Sequence, residues 1–484
     1  MTIEHRRNFI NGEWQAPESG QLYSIHNPAR PSQVLGEFPS SSAADVNAAV
    51  SSASGVAATW AAVPGPQRGA FLARFAQLLE DNKGDLGRIV TLEMGKPLGE
   101  AVGEVGRAAV EARFCAGEAS RLDGHTYPSE RAGFTCSTVL EPLGVVAAIS
   151  PWNFPVVSPV RKIAPALACG DVVVFKPASY TPSSAVYLVR LFEEAGFPAG
   201  VINLVIGSGS AVGDALVDDP RVEGITFTGS TTVGLRLNER GARRLAKVQL
   251  ELGGKNPAVV VDCDDLDGAA REIVAAAFQC SGQRCTALSR VIVAEDQADT
   301  LVEKLLAEVN RIQVGDGLDA KTTMGPLVSK AQMETVESYV RRGIETGARQ
   351  LTGGHRLVDD PDQEGYLYAP TIFDYVTPSS PLAKDEIFGP VLPVIRVSGF
   401  DEAVAIANAT RYGLAAAFFT SKMKLVHAFV RIVQAGMIHI NHGTASQAHV
   451  PFGGVKDSGL GAFSIGHTAK DFYTNVKAVY SKWE

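Results

Sequence analysis

At 484 residues, with no low-complexity tract and no evident repeat, the chain exceeds the size at which a single core stops growing and is expected to form two or more lobes. Its 52 acidic against 44 basic side chains give a formal charge of −8 without a basic cluster, which excludes nucleic acid as an expected partner. Six scattered cysteines (Cys115, Cys136, Cys169, Cys263, Cys280, Cys285), apolar runs broken short of spanning length and an N-terminus without a signal-like apolar core point to a reducing compartment, so a cytoplasmic protein with no membrane association is expected.

From about residue 140 the sequence alternates β-rich and helix-like segments. VVAAIS (145–150) predicts a strand, PVVSPVRKIAPALAC (155–169) a helix, VVVFK (172–176) a strand and SSAVYLVRLFEEAG (183–196) a helix closed at Gly196 with Pro198 beyond. INLVI (202–206) and ITFT (225–228) predict further strands. A second series follows, with AVVVD (258–262) and RVIVAE (290–295) as strands and GAAREIVAAAFQC (268–280) and DTLVEKLLAEVNRI (299–312) as helices. Short Val/Ile runs separated by helical lengths predict an α/β protein with doubly wound, Rossmann-like parallel sheet and a second α/β lobe.

In such a sheet ligands bind beyond the strand ends. Three polar turns fall there: PWNFP (151–155), PASYTP (from Pro177) and GSTTVG (229–234), whose convergence predicts a nucleotide site. GSGSAVG (207–213) misses G-x-G-x-x-G by one residue and reads equally as a turn before a helix capped by Ser210. GSTTVG is the better anion cradle, or simply a capped helix. In FQCSGQRCTALSR (278–290), Cys280 and Cys285 lack the further ligands a metal pair needs, so no metal is expected; a lone cysteine is ordinarily a buried, inert one.

Taken together, PWNFP, FKPAS, FTGST, ELGGKNP, SGQRC, EIFGP and PFGGVKDSG stand in an order and spacing that resemble the aldehyde dehydrogenase superfamily over nearly the whole chain. The closest likeness is to its succinate-semialdehyde and 2-oxoglutarate-semialdehyde (2,5-dioxovalerate) branches. The resemblance implies an NAD(P)-binding lobe of residues 1–120 and 142–252, a catalytic lobe of 253–445, and a small β bridging element of 121–141 and 463–484. That element could extend a partner's sheet, so a homodimer or homotetramer is expected.

The resemblance also implies roles. Cys285 is the nucleophile that forms a thiohemiacetal and then a thioester. Asn153, with the Cys285 N–H, stabilises the oxyanion, although local sequence alone favours an Asx turn before Pro155. Glu251 is the base that activates water, against the alternative of an exposed strand end, and its presence favours hydrolysis over acyl transfer to coenzyme A. Lys176 and Ser179 face the adenosine ribose; Trp152 and Leu252 lie near the phosphates or nicotinamide; Gly229 and Ser230 lie near the pyrophosphate; Glu386, with Phe388 in the same motif, holds the nicotinamide ribose. Ser179 stands where NAD-preferring relatives place Glu, so with Lys176 nearby NADP is expected to be accepted.

Arg161 matches an arginine that holds a substrate carboxylate, a task suited to its planar fork. The branch's second arginine is replaced by Gln279, leaving Arg284, His442 and His449 to compensate. The expected substrate is a small aldehyde, a short semialdehyde with an acidic group; a hydroxy-aldehyde or sulfonated aldehyde is the alternative. Two other classes remain open at this level, a non-catalytic binding protein on the same fold and a cysteine hydrolase without redox chemistry.

Overall fold

The computed structural model describes residues 6–483; residues 1–5 and 484, the outermost parts of the expected first and last segments, lie outside it. Eight strands form the first sheet in the order Glu13–Gln15, Asn8–Ile10, Ile202–Leu204, Val172–Lys176, Val145–Ile149, Val222–Thr228, Lys247–Glu251, Gly459–Leu460. The five from Ile202–Leu204 to Lys247–Glu251 run parallel. The chain moves outward from Val145–Ile149 to one side, then restarts on the other at Val222–Thr228. A crevice must open where the order reverses, beyond Ile149 and Thr228. Val145–Ile149 and Val172–Lys176 are buried throughout because helices cover both faces, which is why they read as unbroken apolar runs.

Helix Val157–Cys169 ends at Gly170 and helix Pro182–Glu194 is followed by Gly196, both glycines in the left-handed region at φ 101° and 85°. GSGSAVG departs from expectation: the cap is Ser208, whose hydroxyl accepts from the Ala211 N–H at 3.1 Å, two residues before Ser210, and it opens a π-helical turn, Gly209–Gly213.

A second sheet of seven strands has the order Arg349–Thr352, Thr371–Asp374, Val391–Val397, Leu288–Ala294, Asn256–Val260, Ala415–Phe419, Met437–Ile440, all neighbours parallel except the first pair. The chain passes from one sheet to the other through Leu252–Lys255, so ELGGK sits at their junction. Its glycines let neighbouring groups approach closely. A Cβ on Gly253 would meet the Glu386 carboxylate at 2.0 Å, and one on Gly254 the Cys285 carbonyl oxygen at 2.8 Å. A separate three-stranded sheet pairs Thr474–Lys482 antiparallel with Phe134–Pro142, which in turn pairs with Thr126–Tyr127. Among the described residues no helix is long and apolar enough to cross a membrane.

Candidate active site

A cavity of about 700 Å³ lies at the junction of the two sheets, lined by the strand ends of the first and by residues leading into the second. Cys285 reaches it through an unusual turn. Helix Leu266–Phe278 stops two residues before the predicted end, and Cys280, Ser281 and Gly282 follow at φ 53°, 58° and 71°. Left-handed non-glycine residues are costly and need support. Here the Glu100 carboxylate accepts from the Cys280 N–H at 3.1 Å and the Gly325 carbonyl accepts from the Ser281 hydroxyl at 2.7 Å. At Gly282 a Cβ would meet the Gly389 carbonyl oxygen at 2.3 Å, so only glycine fits.

The two thiols of this turn are unlike. Cys280 is buried, with its sulfur 3.1 Å from a Glu100 oxygen, and burial pushes its thiol far up. Cys285 is half-buried and lines the cavity; burial first, then the Glu251 and Glu386 charges, push it up to about 11, opposed by Arg284 and Arg161. Its backbone N–H donates to no protein acceptor among the described residues.

Asn153 is buried, and its Nδ2 donates to the Gln283 carbonyl at 2.9 Å, bridging two segments 130 residues apart; this contact, in place of an Asx turn, leaves the second amide proton on a cavity-lining side chain. The segment is pinned from behind. Lys96 Nζ donates to the Asn153 carbonyl at 2.7 Å and to Glu104 at 2.8 Å, while Glu104 accepts from the Val156 and Val157 N–H groups.

Glu251 is buried at the end of its strand, not exposed, and its Oε2 has no hydrogen-bond partner among the described residues. Burial pushes its carboxyl above the usual range, and the Lys162 ammonium and Ser464 oppose that shift. Lys162 is itself pushed down by burial and donates to Thr228 Oγ1 at 2.6 Å. It adjoins Arg161 in sequence, but nothing local marks it as Glu251's counter-charge.

On the cofactor side, Trp152, Gly229, Ser230, Leu252, Glu386 and Phe388 line the cavity. Ser230 precedes helix Thr231–Ala242 without capping it, so the first N–H groups of this 12-residue helix are left for an anion. Gly229 packs its α-carbon against the Phe227 ring, which a Cβ would meet at 2.5 Å. Glu386 accepts from the Gly254 N–H at 3.0 Å and is pushed up to about 7 by burial. Its second oxygen suits ribose hydroxyls. These residues fit NAD(P). Lys176 and Ser179 lie outside the cavity at the end of the neighbouring strand. Lys176 is buried, donates to the Pro177 carbonyl at 2.7 Å and is pushed down to about 8 by burial; Ser179 donates to the Gly207 carbonyl at 3.3 Å.

The substrate side corrects one expectation, the placing of His449, and adds a partner to Arg161. Arg161 lines the cavity with one edge of its guanidinium engaged: Nε and Nη2 hold both oxygens of Glu111 at 2.7–3.1 Å, and Nη2 also donates to Ser446 at 2.9 Å. Glu111 sits on helix Leu98–Glu118, 50 residues away in sequence, where no local signal announces the pair. His449 is exposed and does not line the cavity. Gln279 and Arg284 line it and bond each other, and Arg284 Nη2 also donates to the Thr444 carbonyl at 3.2 Å. Among the described residues no cluster of His, Cys, Asp or Glu could hold a metal.

Residues 14–479 match the sequence profile of the aldehyde dehydrogenase family. The chain is 42% identical over 476 residues to an alpha-ketoglutaric semialdehyde dehydrogenase of Bacillus subtilis, covering 98% of each protein. It is 38% identical to the succinate-semialdehyde dehydrogenase [NADP(+)] GabD of Escherichia coli, covering 96% of this chain and 95% of that one. A crystal structure of an Escherichia coli NADP-dependent enzyme superposes with a TM-score of 0.96 at 37% identity, over 99% of this chain and 98% of the other.

Proposed function

The chain belongs to the aldehyde dehydrogenase family and is an NAD(P)-dependent oxidoreductase of aldehydes; from that premise we propose that it oxidises a short aldehyde bearing a remote acid group to the free carboxylic acid. The observation that carries the reading is the meeting of Cys285, the Asn153 amide and the buried Glu251 in one cavity. The names of its relatives support an acidic substrate.

In this reading the Cys285 thiol loses its proton to water in the open cavity as sulfur adds to the aldehyde carbon, giving a thiohemiacetal. The oxygen that gains charge is received by the Cys285 N–H and the free proton of the Asn153 amide. The nicotinamide, when bound, supplies the acceptor for the hydride that leaves the same carbon. Cys285 then carries a thioester. Glu251 removes a proton from the attacking water, and collapse of the tetrahedral adduct releases the acid and expels the Cys285 sulfur, which takes up the proton from Glu251 and so restores both groups. Gly229, Ser230 and the open N-terminus of helix Thr231–Ala242 would hold the pyrophosphate, and Glu386 the nicotinamide ribose. Following nicotinamide absorbance with matched acidic and neutral aldehydes tests the whole reading; no cofactor reduction with any aldehyde would end it.

Ser179 and Lys176 bear on cofactor choice. A 2′-phosphate meets no carboxylate at Ser179, and Lys176, pushed down only to about 8, remains protonated at neutral pH. NADP is therefore accepted. Ser179→Glu should lower the ratio of kcat/KM for NADP over NAD by at least about tenfold, the worth of roughly 1.4 kcal/mol of charge repulsion; an unchanged ratio would remove Ser179 from this role. Six free cysteines suit a cytoplasmic location. The outer edge of strand Thr474–Lys482, where Val476 and Tyr480 are 69% and 77% exposed, supports self-association through this edge. Light scattering of the wild type and a Val476→Glu variant would check it, with the variant expected to shift toward monomer.

A further inference from the structure

Four cationic side chains line the cavity: Arg107, Arg161, Lys162 and Arg284. Three are committed. Arg161 is gripped by Glu111, whose side chain is 2% exposed, Lys162 faces Glu251 and Thr228, and Arg284 is tied to Gln279 and the Thr444 carbonyl. Arg107 alone has no hydrogen bond, ion pair or ring contact among the described residues, although it is only half-buried and lies on the same helix face as Glu104 and Glu111, one turn from each. Resting on the proposed oxidation of an acid-bearing aldehyde, we infer that Arg107 is the specificity-determining residue that receives the substrate's remote carboxylate.

The physical case is one of charge balance. A guanidinium already paired bidentately presents little net charge to a second anion, so the Arg161–Glu111 pair orients through its remaining contacts more than it attracts. A free guanidinium keeps its full charge and its fork for a carboxylate. At the reacting end the wall near Cys285 carries the Glu251 and Glu386 carboxyls, which offer an acid group no counter-charge. Arg107 offers the opposite sign on the helix wall, where Gly99 and Gly103 leave open space, since a Cβ on either would meet nothing within 4 Å. The gradient therefore directs the carboxylate to Arg107 and the carbonyl to the thiol.

The test uses the full-length enzyme with NADP, succinate semialdehyde and butanal as a four-carbon pair with and without the acid, and glutarate as a dead-end anion. Arg107→Gln should lower the ratio of kcat/KM for succinate semialdehyde over butanal by at least about tenfold, through KM rather than kcat, and weaken glutarate inhibition in parallel. Arg107→Lys should recover a large part of both. A wild type that prefers succinate semialdehyde, joined to an Arg107→Gln enzyme that keeps that ratio and its glutarate inhibition within about twofold, overturns the assignment and leaves the acidic-substrate reading standing. A wild type with no preference overturns both. Should Arg107→Gln fold poorly, the lysine variant decides: a preference for the acid lost as fully as with any neutral side chain would mean that the cation at this position is not what the substrate reads.

Discussion

Glu251→Gln enzyme, mixed with cofactor and a saturating aldehyde, is expected to release about one equivalent of reduced cofactor per site in a rapid burst and then to turn over some 10²–10⁴-fold more slowly than wild type. The stalled species should carry the acyl group on Cys285, visible as added mass on the intact protein. The burst survives because Glu251 impedes the first half-reaction electrostatically: its charge is among the forces that push the Cys285 thiol up, so the neutral amide eases ionisation of the sulfur. The pH dependence has a definite sign. Burial raises the Glu251 carboxyl, so its base form is lost as pH falls through a value above the ordinary carboxylate range. Deacylation should therefore accelerate with rising pH in the wild type, and that limb should vanish in the glutamine variant. A steady-state rate unaltered by the substitution would take Glu251 out of the mechanism.

What could be read from the chain follows from the range of the forces involved. The strands Val145–Ile149 and Val172–Lys176 are legible because burial on both faces leaves an uninterrupted apolar run, and the helices Val157–Cys169 and Pro182–Glu194 because a left-handed glycine marks each end. PWNFP, FKPAS, FTGST and ELGGK led to the crevice for the same reason, since each falls at the end of a strand, whereas SGQRC follows a helix and EIFGP precedes a strand. Features held by distant partners were hidden. The left-handed Cys280 and Ser281 depend on Glu100 and the Gly325 carbonyl, the Asn153 amide on the Gln283 carbonyl, and the pairing of Arg161 on Glu111. Glu251 reads locally as an exposed strand end, yet the junction of the two sheets buries it and most of Glu386, and the neighbouring strand end buries Lys176. The isolation of Arg107 is the extreme case, because an absent partner leaves no trace in sequence.

The other large effect concerns the sulfur itself. Cys285→Ala should show neither burst nor steady-state turnover, because no other thiol lines the cavity and the adjacent Cys280 is held against Glu100. In the enzyme without cofactor, iodoacetamide should label Cys285 ahead of Cys280, Cys115, Cys169 and Cys263, whose thiols burial pushes up and which do not line the cavity. The sign of the pH effect is again fixed: with the Cys285 thiol at about 11, the thiolate is a minor species at neutral pH and its fraction, with the labelling rate, should rise about tenfold per unit between roughly pH 7 and 9. Glu251→Gln removes one of the negative charges responsible, so labelling at a given pH should quicken in that variant even as its turnover stalls. A flat labelling profile would mean that the thiolate is already formed at rest. A variant without the Cys285 sulfur that still reduced cofactor with aldehyde would show that hydride leaves the substrate without a covalent adduct at this position.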